Sequence, residues 1–255
     1  MLDEADRMLD MGFFRDVQNI IAKLPKRRQT LLFSATMPAE IEILADAILS
    51  DPTKVQIEAE TVTIDLVNQS VYHLDKSNKV PLLFEILKMP EYEKVLIFCK
   101  TKYGADIIVN ALEKASITAA SLHSGKTQAV REEALQNFKT ANLRVLVATD
   151  VAARGIDVDN ITLVINYNLP EDPRNYIHRI GRTARAGKTG MAISFVVEND
   201  VRQLTIIENS RGQVISVVTE QPFHKTFSKA ATQPKKKKPV SKSNKKTNRS
   251  RTKKR

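Results

Sequence analysis

Cysteine is nearly missing from this chain of 255 residues: Cys99 is the single one, which excludes an intramolecular disulfide and a thiolate metal cluster and fits a reducing compartment. The four histidines are scattered, which argues against zinc as well. No apolar run approaches membrane-spanning length, and the start, Met1-Leu-Asp-Glu-Ala-Asp6, is acidic where a secretory leader is basic and then apolar. No membrane partner is expected, and a soluble cytoplasmic protein is. General disorder is excluded too, because 42% hydrophobic residues suffice for one large core or two modest ones.

Acidic residues are absent from Pro222 to Arg255, which carries fourteen Lys or Arg. Twenty-six basic residues then face twenty-nine acidic ones in the rest of the chain, so the net charge of +11 resides in the tail. The runs Lys235-Lys-Lys-Lys238 and Lys253-Lys-Arg255, set among Ser, Thr, Asn and Pro, cannot bury a core and are expected to form a disordered polycation. Its natural partner is a polyanion such as nucleic acid; a purely solubilising tail is the alternative reading.

What is present is a change of period along the chain. Residues 5–24 have helical spacing closed by Pro25, 29–33 read as a strand ending in Ser34-Ala-Thr36, 39–49 as a helix and 54–57 as a strand. Two helices and two short strands are too little for an independent α/β core, so these elements are expected to be part of a larger sheet. From 71 onward strands and helices alternate. Strands are expected at 71–74, 94–99, 117–122, 144–149, 162–166, 191–197 and 214–218, with helices at 80–87, 104–114, 128–139, 174–181 and 200–209. Such alternation predicts βαβ units and a parallel sheet covered on both faces, with ligands beyond the carboxyl ends of the strands. The polar stretches fall at those ends: Lys100-Thr101, His123-Ser-Gly125, and Asp150 to Asp157.

Four of these stretches carry chemistry. Asp3-Glu4-Ala-Asp6 sets acids beside one another before a helix, an arrangement suited to Mg²⁺ and to orienting water. Ser34-Ala-Thr36 supplies hydroxyls at a second strand end, and Thr149 to Asp157 adds a hydroxyl, an arginine and two acids around Gly155. His178-Arg179-Ile-Gly181-Arg182-Thr-Ala-Arg185 gathers guanidinium groups at three-residue spacing, which places them on one helical side able to grip phosphate. A solvated basic face is the alternative. By contrast Ser124-Gly-Lys-Thr127 imitates a phosphate loop, but the loop holds one glycine and is poorly suited to wrap a triphosphate.

Together and in this order the motifs resemble those of the DEAD-box RNA helicases of superfamily two, nearest to the bacterial RhlE-type branch, over residues 1 to about 220. The resemblance implies two RecA-like domains that close on ATP and clamp single-stranded RNA without reading its sequence. It implies that Asp3 holds Mg²⁺ through water, that Glu4 orients the hydrolytic water, and that Asp6 bonds to Ser34 and Thr36 to couple the nucleotide to closure. Asp157 would touch the ribose, Arg182 and Arg185 would act on the γ-phosphate, and His178 and Arg179 would bridge the interface. Thr101, Gly125, Gln128, Arg131, Thr149 and Arg154 match positions on the RNA side; for Gln128 and Arg131 a solvated helix face is the alternative. Ribosomal or RNA-degradation partners fit such a family, and the sequence identifies none of them.

The chain opens two residues before the acidic motif, and the family's glycine-rich phosphate loop has no counterpart in it. The expected organisation is therefore a remnant of the first helicase domain at 1–58, a linker at 59–68, a helicase C-terminal RecA-like domain at 69–220 and the basic tail at 221–255. An N-terminally truncated helicase without turnover of its own is expected, with a non-catalytic RNA-binding module as the alternative and a DNA-translocating motor as a third. Ala184 stands where the family usually has glycine.

Overall fold

The computed structural model describes residues 1–10, 12–34, 36–56, 66–153, 156, 158–184 and 189–227. The chain forms two compact units, Met1–Ala59 and Glu60–Arg255.

In the first unit the expected helix over 5–24 is broken in two: α1 (Ala5–Asp10) and α2 (Phe14–Ala22). Gly12, at φ 77°, adopts the left-handed conformation that ends one helix and re-aims the chain, with its N–H donated to Leu9 O at 2.8 Å. The expected strand over 29–33 is reduced to one parallel bridge between Leu2 and Leu32. A strand needs a continuous partner, and the described residues supply only Leu2, whose N–H donates to Leu31 O and whose carbonyl accepts from Phe33 N. Residues 54–56 form no strand, while Ile57 lies outside the described residues. The third helix, α3 (Ala39–Ile48), packs Leu44 and Ile48 against Val17 of α2, with Leu2, Met8, Phe14 and Leu32 around them. Ile20, Phe33, Ile43 and Val55 are exposed.

The second unit is a seven-stranded, wholly parallel sheet, as the alternation predicts. Its strands are β1 (Val67–His73), β2 (Val95–Phe98), β3 (Ala119–Leu122), β4 (Val145–Ala148), β5 (Leu163–Asn166), β6 (Gly190–Val196) and β7 (Ser216–Val217), in the order β3-β4-β2-β5-β6-β1-β7. The helices are α4 (Lys79–Leu87), α5 (Lys102–Lys114), α6 (Gln128–Lys139), α7 (Pro173–Ile180) and α8 (Val201–Arg211).

Successive side chains of a strand point to opposite faces, and the apolar runs of β2, β4 and β5 are therefore buried twice over. On one face Val95, Ile97, Val147 and Ile165 meet Leu83 and Ile86 of α4 and Ile108 and Leu112 of α5. On the other, Leu96, Phe98, Leu146 and Val164 meet Ala134 and Phe138 of α6. Further along that second face Val71, Ala192 and Val196 meet Tyr176 and Ile180 of α7 and Leu204 and Ile207 of α8. Each fully buried Val, Leu or Ile contributes about 1.5–3 kcal/mol of transfer free energy, so these layers fix which strand ends stand side by side. Beyond β7 the chain continues along β1 in the same direction: Val218 N donates to Val71 O, Lys225 N to His73 O, and Lys225 pairs with Asp75 at 2.6 Å.

Candidate functional site

In the first unit the acidic stretch and the hydroxyl stretch are joined. Pairing of Leu2 with the 31–33 segment and donation from Ala5 N to Phe33 O bring the two ends together. Asp6, 3% exposed, accepts from Thr36 N at 3.0 Å and from Thr36 Oγ1 at 2.8 Å on the same carboxylate oxygen, Oδ2. Ser34 meets Asp6 through its backbone: Asp6 N donates to Ser34 Oγ at 3.2 Å, and Ser34 Oγ donates to Thr36 O at 2.6 Å. A buried carboxylate with two donors is a rigid joint, because removing either partner leaves a charge without its bonds.

Asp3 is exposed at the strand end, and its Oδ1 accepts from Glu4 N at 2.9 Å. Glu4 holds φ 49°, a left-handed conformation unfavourable for a residue with a side chain. Among the described residues no three His, Cys, Asp or Glu side chains gather into a metal-binding group. One exposed carboxylate next to a second is a donor set that suits Mg²⁺ held chiefly through water and ligand phosphates.

In the second unit the carboxyl ends of β2, β4 and β5 stand together where the strand order reverses, the place at which open parallel sheets bind ligands. The centre of this edge is Arg179. Its Nε and Nη2 donate to Asp150 Oδ1 and Oδ2 at 2.6 and 2.7 Å, and its Nη1 to Asn166 Oδ1 at 3.0 Å and Asn168 O at 2.7 Å. The guanidinium lies 4.9 Å from the Phe98 ring centre, and the residue is 3% exposed. Asn166 in turn donates to Ser194 Oγ at 3.2 Å, and Lys100 N donates to Asn168 Oδ1 at 3.1 Å.

Every arm of the Arg179 fork is engaged within this unit, tying α7 to the ends of β4 and β5. Asp150, Asn166 and Asn168 were given no role from the sequence. The signal available was Asp150, an acid set one residue after Thr149 at the end of an apolar run.

Of the three arginines expected to share a helical face, Arg179 alone lies within α7 among the described residues. Helix α7 begins at Pro173 behind Asp172, whose Oδ1 accepts from Arg174 N, and it ends at Ile180, so Gly181 and Arg182 lie beyond it. Arg182 Nη1 donates to Ile156 O at 2.9 Å. His178 occupies the last turn of α7. Arg154, Asp157 and Arg185 lie outside the described residues.

The described positions matched to RNA contacts lie near the same edge. Thr101 caps α5, its Oγ1 accepting from Gly104 N at 3.0 Å, and Thr149 directly follows β4 with its N–H on Leu122 O. Gln128 and Arg131 stand in the first turn of α6 and bond to each other, Arg131 Nη1 to Gln128 Oε1 at 3.1 Å. Arg131 Nε is buried without a hydrogen-bond partner among the described residues. Gly125 donates its N–H to His123 Nδ1 at 3.1 Å.

In the same loop Lys126 pairs with Asp106 at 3.1 Å and Thr127 Oγ1 caps α6. Cys99, buried beside this edge, has its thiol pushed up by burial, which makes it a packing residue and not a nucleophile. No helix among the described residues is long and apolar enough to cross a membrane.

Two family models match the chain in order: DEAD/DEAH box helicase over residues 1–44 and helicase conserved C-terminal domain over 78–187. The DEAD-box ATP-dependent RNA helicase CshA of Bacillus licheniformis is 42% identical over 210 residues, which are 82% of this chain and 43% of CshA. The chain thus spans about two fifths of the length of the curated relatives it matches. Those relatives carry the CshA name, and they do not distinguish the RhlE-type branch.

Among solved structures, Saccharomyces cerevisiae Dbp5 bound to RNA and ADP BeF3 is 32% identical with a TM-score of 0.75, covering 85% of this chain and 58% of that one. The Escherichia coli DEAD-box protein SrmB, bound to regulator of ribonuclease activity A, is 34% identical with a TM-score of 0.59, covering 62% of this chain and 94% of that one. An acidic box tied to its Ser-Ala-Thr partner, followed by a parallel sheet braced through Arg179, has the ancestry its motifs suggest, and the chain belongs to the DEAD-box family of ATP-dependent RNA helicases.

Proposed function

We propose that these 255 residues supply the acidic box, its coupling segment and a RecA-like C-terminal domain to an ATP-dependent RNA helicase. The carrying observation is the double acceptance by Asp6 Oδ2 from Thr36, which makes one joint of two motifs thirty residues apart. In this reading Asp3 holds Mg²⁺ through water, and that ion neutralises phosphate charge when ATP is bound. Glu4 orients the attacking water, and the strained backbone at Glu4 supports a functional rather than a packing role. Asp157 faces the ribose, while Arg182 and Arg185 stabilise charge developing on the γ-phosphate. His178 stands at the interface, and Arg179 braces the sheet edge that positions them. Thr101, Gln128, Arg131, Thr149 and Arg154 hold the RNA backbone without reading bases, with Gly125 keeping the loop between them compact.

The 255 residues include no glycine-rich phosphate loop of the family's kind. Alone they should bind RNA without hydrolysing ATP; in a polypeptide that also carries such a loop, RNA-stimulated hydrolysis should appear and Glu4→Gln should abolish it. Thr36→Val in that polypeptide should leave hydrolysis and lose strand separation. Turnover that survives Glu4→Gln would remove the proposed role of the acidic box. The segregation of basic charge into 222–255 favours a second reading, a non-catalytic RNA-binding module, which RNA affinity lost on deleting those residues would support.

A further inference from the structure

Asp106, in the second turn of α5, has one oxygen shared by three donors. Its Oδ1 accepts from Ser121 Oγ at 2.6 Å, is bonded to His123 Nε2 at 3.1 Å, and pairs with Lys126 Nζ at 3.1 Å. His123 is 3% exposed, and its other nitrogen accepts from Gly125 N, so the bonding pattern places the ring proton on Nε2. Ser121 and His123 are therefore fixed parts of the fold. Lys126 is not. Its side chain is 34% exposed and that of Asp106 38%, and an ion pair this open to water is weak and easily exchanged. Lys126 also stands directly before Thr127, the cap of α6, and so beside Gln128 and Arg131 in the first turn.

We infer that Lys126 is a latent phosphate-binding cation held off the RNA side by Asp106, and that Asp106 thereby sets how tightly the RNA backbone is gripped. This rests on the proposed RNA face at Thr101, Gln128 and Arg131. Release costs the carboxylate little, because Ser121 and His123 continue to donate to the same oxygen when Lys126 leaves. An arriving phosphodiester gives Lys126 an equivalent anion, while His123 and Thr127 of the same loop stay engaged in their own hydrogen bonds.

Asp106→Asn keeps an oxygen for Ser121 and His123 but cannot hold the ammonium. Binding of a single-stranded oligouridine to the full chain, followed by fluorescence anisotropy over a salt series, should tighten about 3–10-fold, with a salt slope steeper by about 0.7 for one added phosphate contact. In a Lys126→Met background the same substitution should have no effect, and Lys126→Arg should bind as the parent does. A gain that persists without Lys126 would reduce Asp106 to a general repulsive charge and overturn the inference. Weaker binding by Asp106→Asn with an unchanged melting temperature would overturn it as well.

If Asp106→Asn melts early, Asp106→Ser, which retains an oxygen acceptor, gives the same comparison. The RNA face itself is tested separately by the triple variant Thr101→Ala, Gln128→Ala, Arg131→Ala, which should bind at least tenfold more weakly. A triple variant that binds normally beside an effect that depends on Lys126 would uphold the latent lysine and remove the RNA-face reading.

Discussion

Single residues at this protein's polar edges are set by how many donors each acceptor must serve. Asp6 serves Thr36 twice from a buried position, Asp150 serves both arms of Arg179, and Asp106 serves three side chains at once. For Asp106, partial burial pushes the carboxyl up, but hydrogen bonds from Ser121, His123 and Lys126 outweigh it and hold the group down at about 2, against an ordinary 3.8. A folded-state value below the unfolded one stabilises at pH above the unfolded value, and the contribution is lost as pH falls through the folded one. Thermal stability of the second unit should therefore carry an acid limb between about pH 4 and 2 that Asp106→Asn flattens. The amplitude should be small, since the carboxylate is more than a third exposed. Superimposable pH profiles for the two proteins would deny Asp106 any part in the limb.

At the scale of elements, the second unit was legible because each strand buried on both faces reads as a continuous apolar run, and each covering helix repeats its apolar stripe every three to four residues. The limits of β2, β4 and β5 lie inside the runs 94–99, 144–149 and 162–166 for that reason. The first unit was less legible. Its apolar run at Leu31-Leu-Phe33 finds a single bridge partner, and the period of 5–24 carries no mark of the turn except Gly12. Among the site residues, Asp6 and Thr36 were paired from their motifs, whereas the inward role of Arg179 was hidden. Spacing puts arginines on one face only while a helix continues, and Gly181 marks where it stops.

The turn after α7 shows the same economy of space. Ala184 holds φ 54°, and Gly190 lies so near that a Cβ there would collide with the Thr183 side chain and come within 2.6 Å of Ala184 N. Ala184→Gly removes a left-handed penalty of about 1–2 kcal/mol and adds up to about 1 kcal/mol of unfolded-state freedom, a net gain of about 0.5–1 kcal/mol. Gly190→Ala must move backbone and should lose at least about 2 kcal/mol. Urea midpoints measure both, and a lowered midpoint for Ala184→Gly would mean that the methyl group packs better than the backbone strains.

For the whole molecule, charge is the dominant long-range property. Residues 228–255 contain thirteen of the forty Lys and Arg and no acid, so their removal takes the net charge from +11 to −2. Each neutralised phosphate of a single strand contributes about 0.7 to the salt slope, so deleting 228–255 should flatten the slope of RNA binding by up to about 9. Contacts at Thr101, Gln128 and Arg131 would then account for the remaining affinity. A slope that stays the same after deletion would assign the tail to solubility alone.

The sheet order also has a temporal meaning. Strand β1 has its long partner in β6, with Val67 opposite Gly190, and its short partner in β7, later still. A ribosome adding about 5–20 residues per second needs roughly 6–25 s to deliver β6 after β1 has been made. During that interval β1 is an unpaired edge, the kind of segment that seeks a partner in another chain. Its sequence, Val67-Asn-Gln-Ser-Val-Tyr-His73, is the most polar of the long strands, whereas the apolar runs of β2 and β4 become adjacent within about 50 residues. The strand that must wait longest in the growing chain is thus the one least prone to aggregate while it waits.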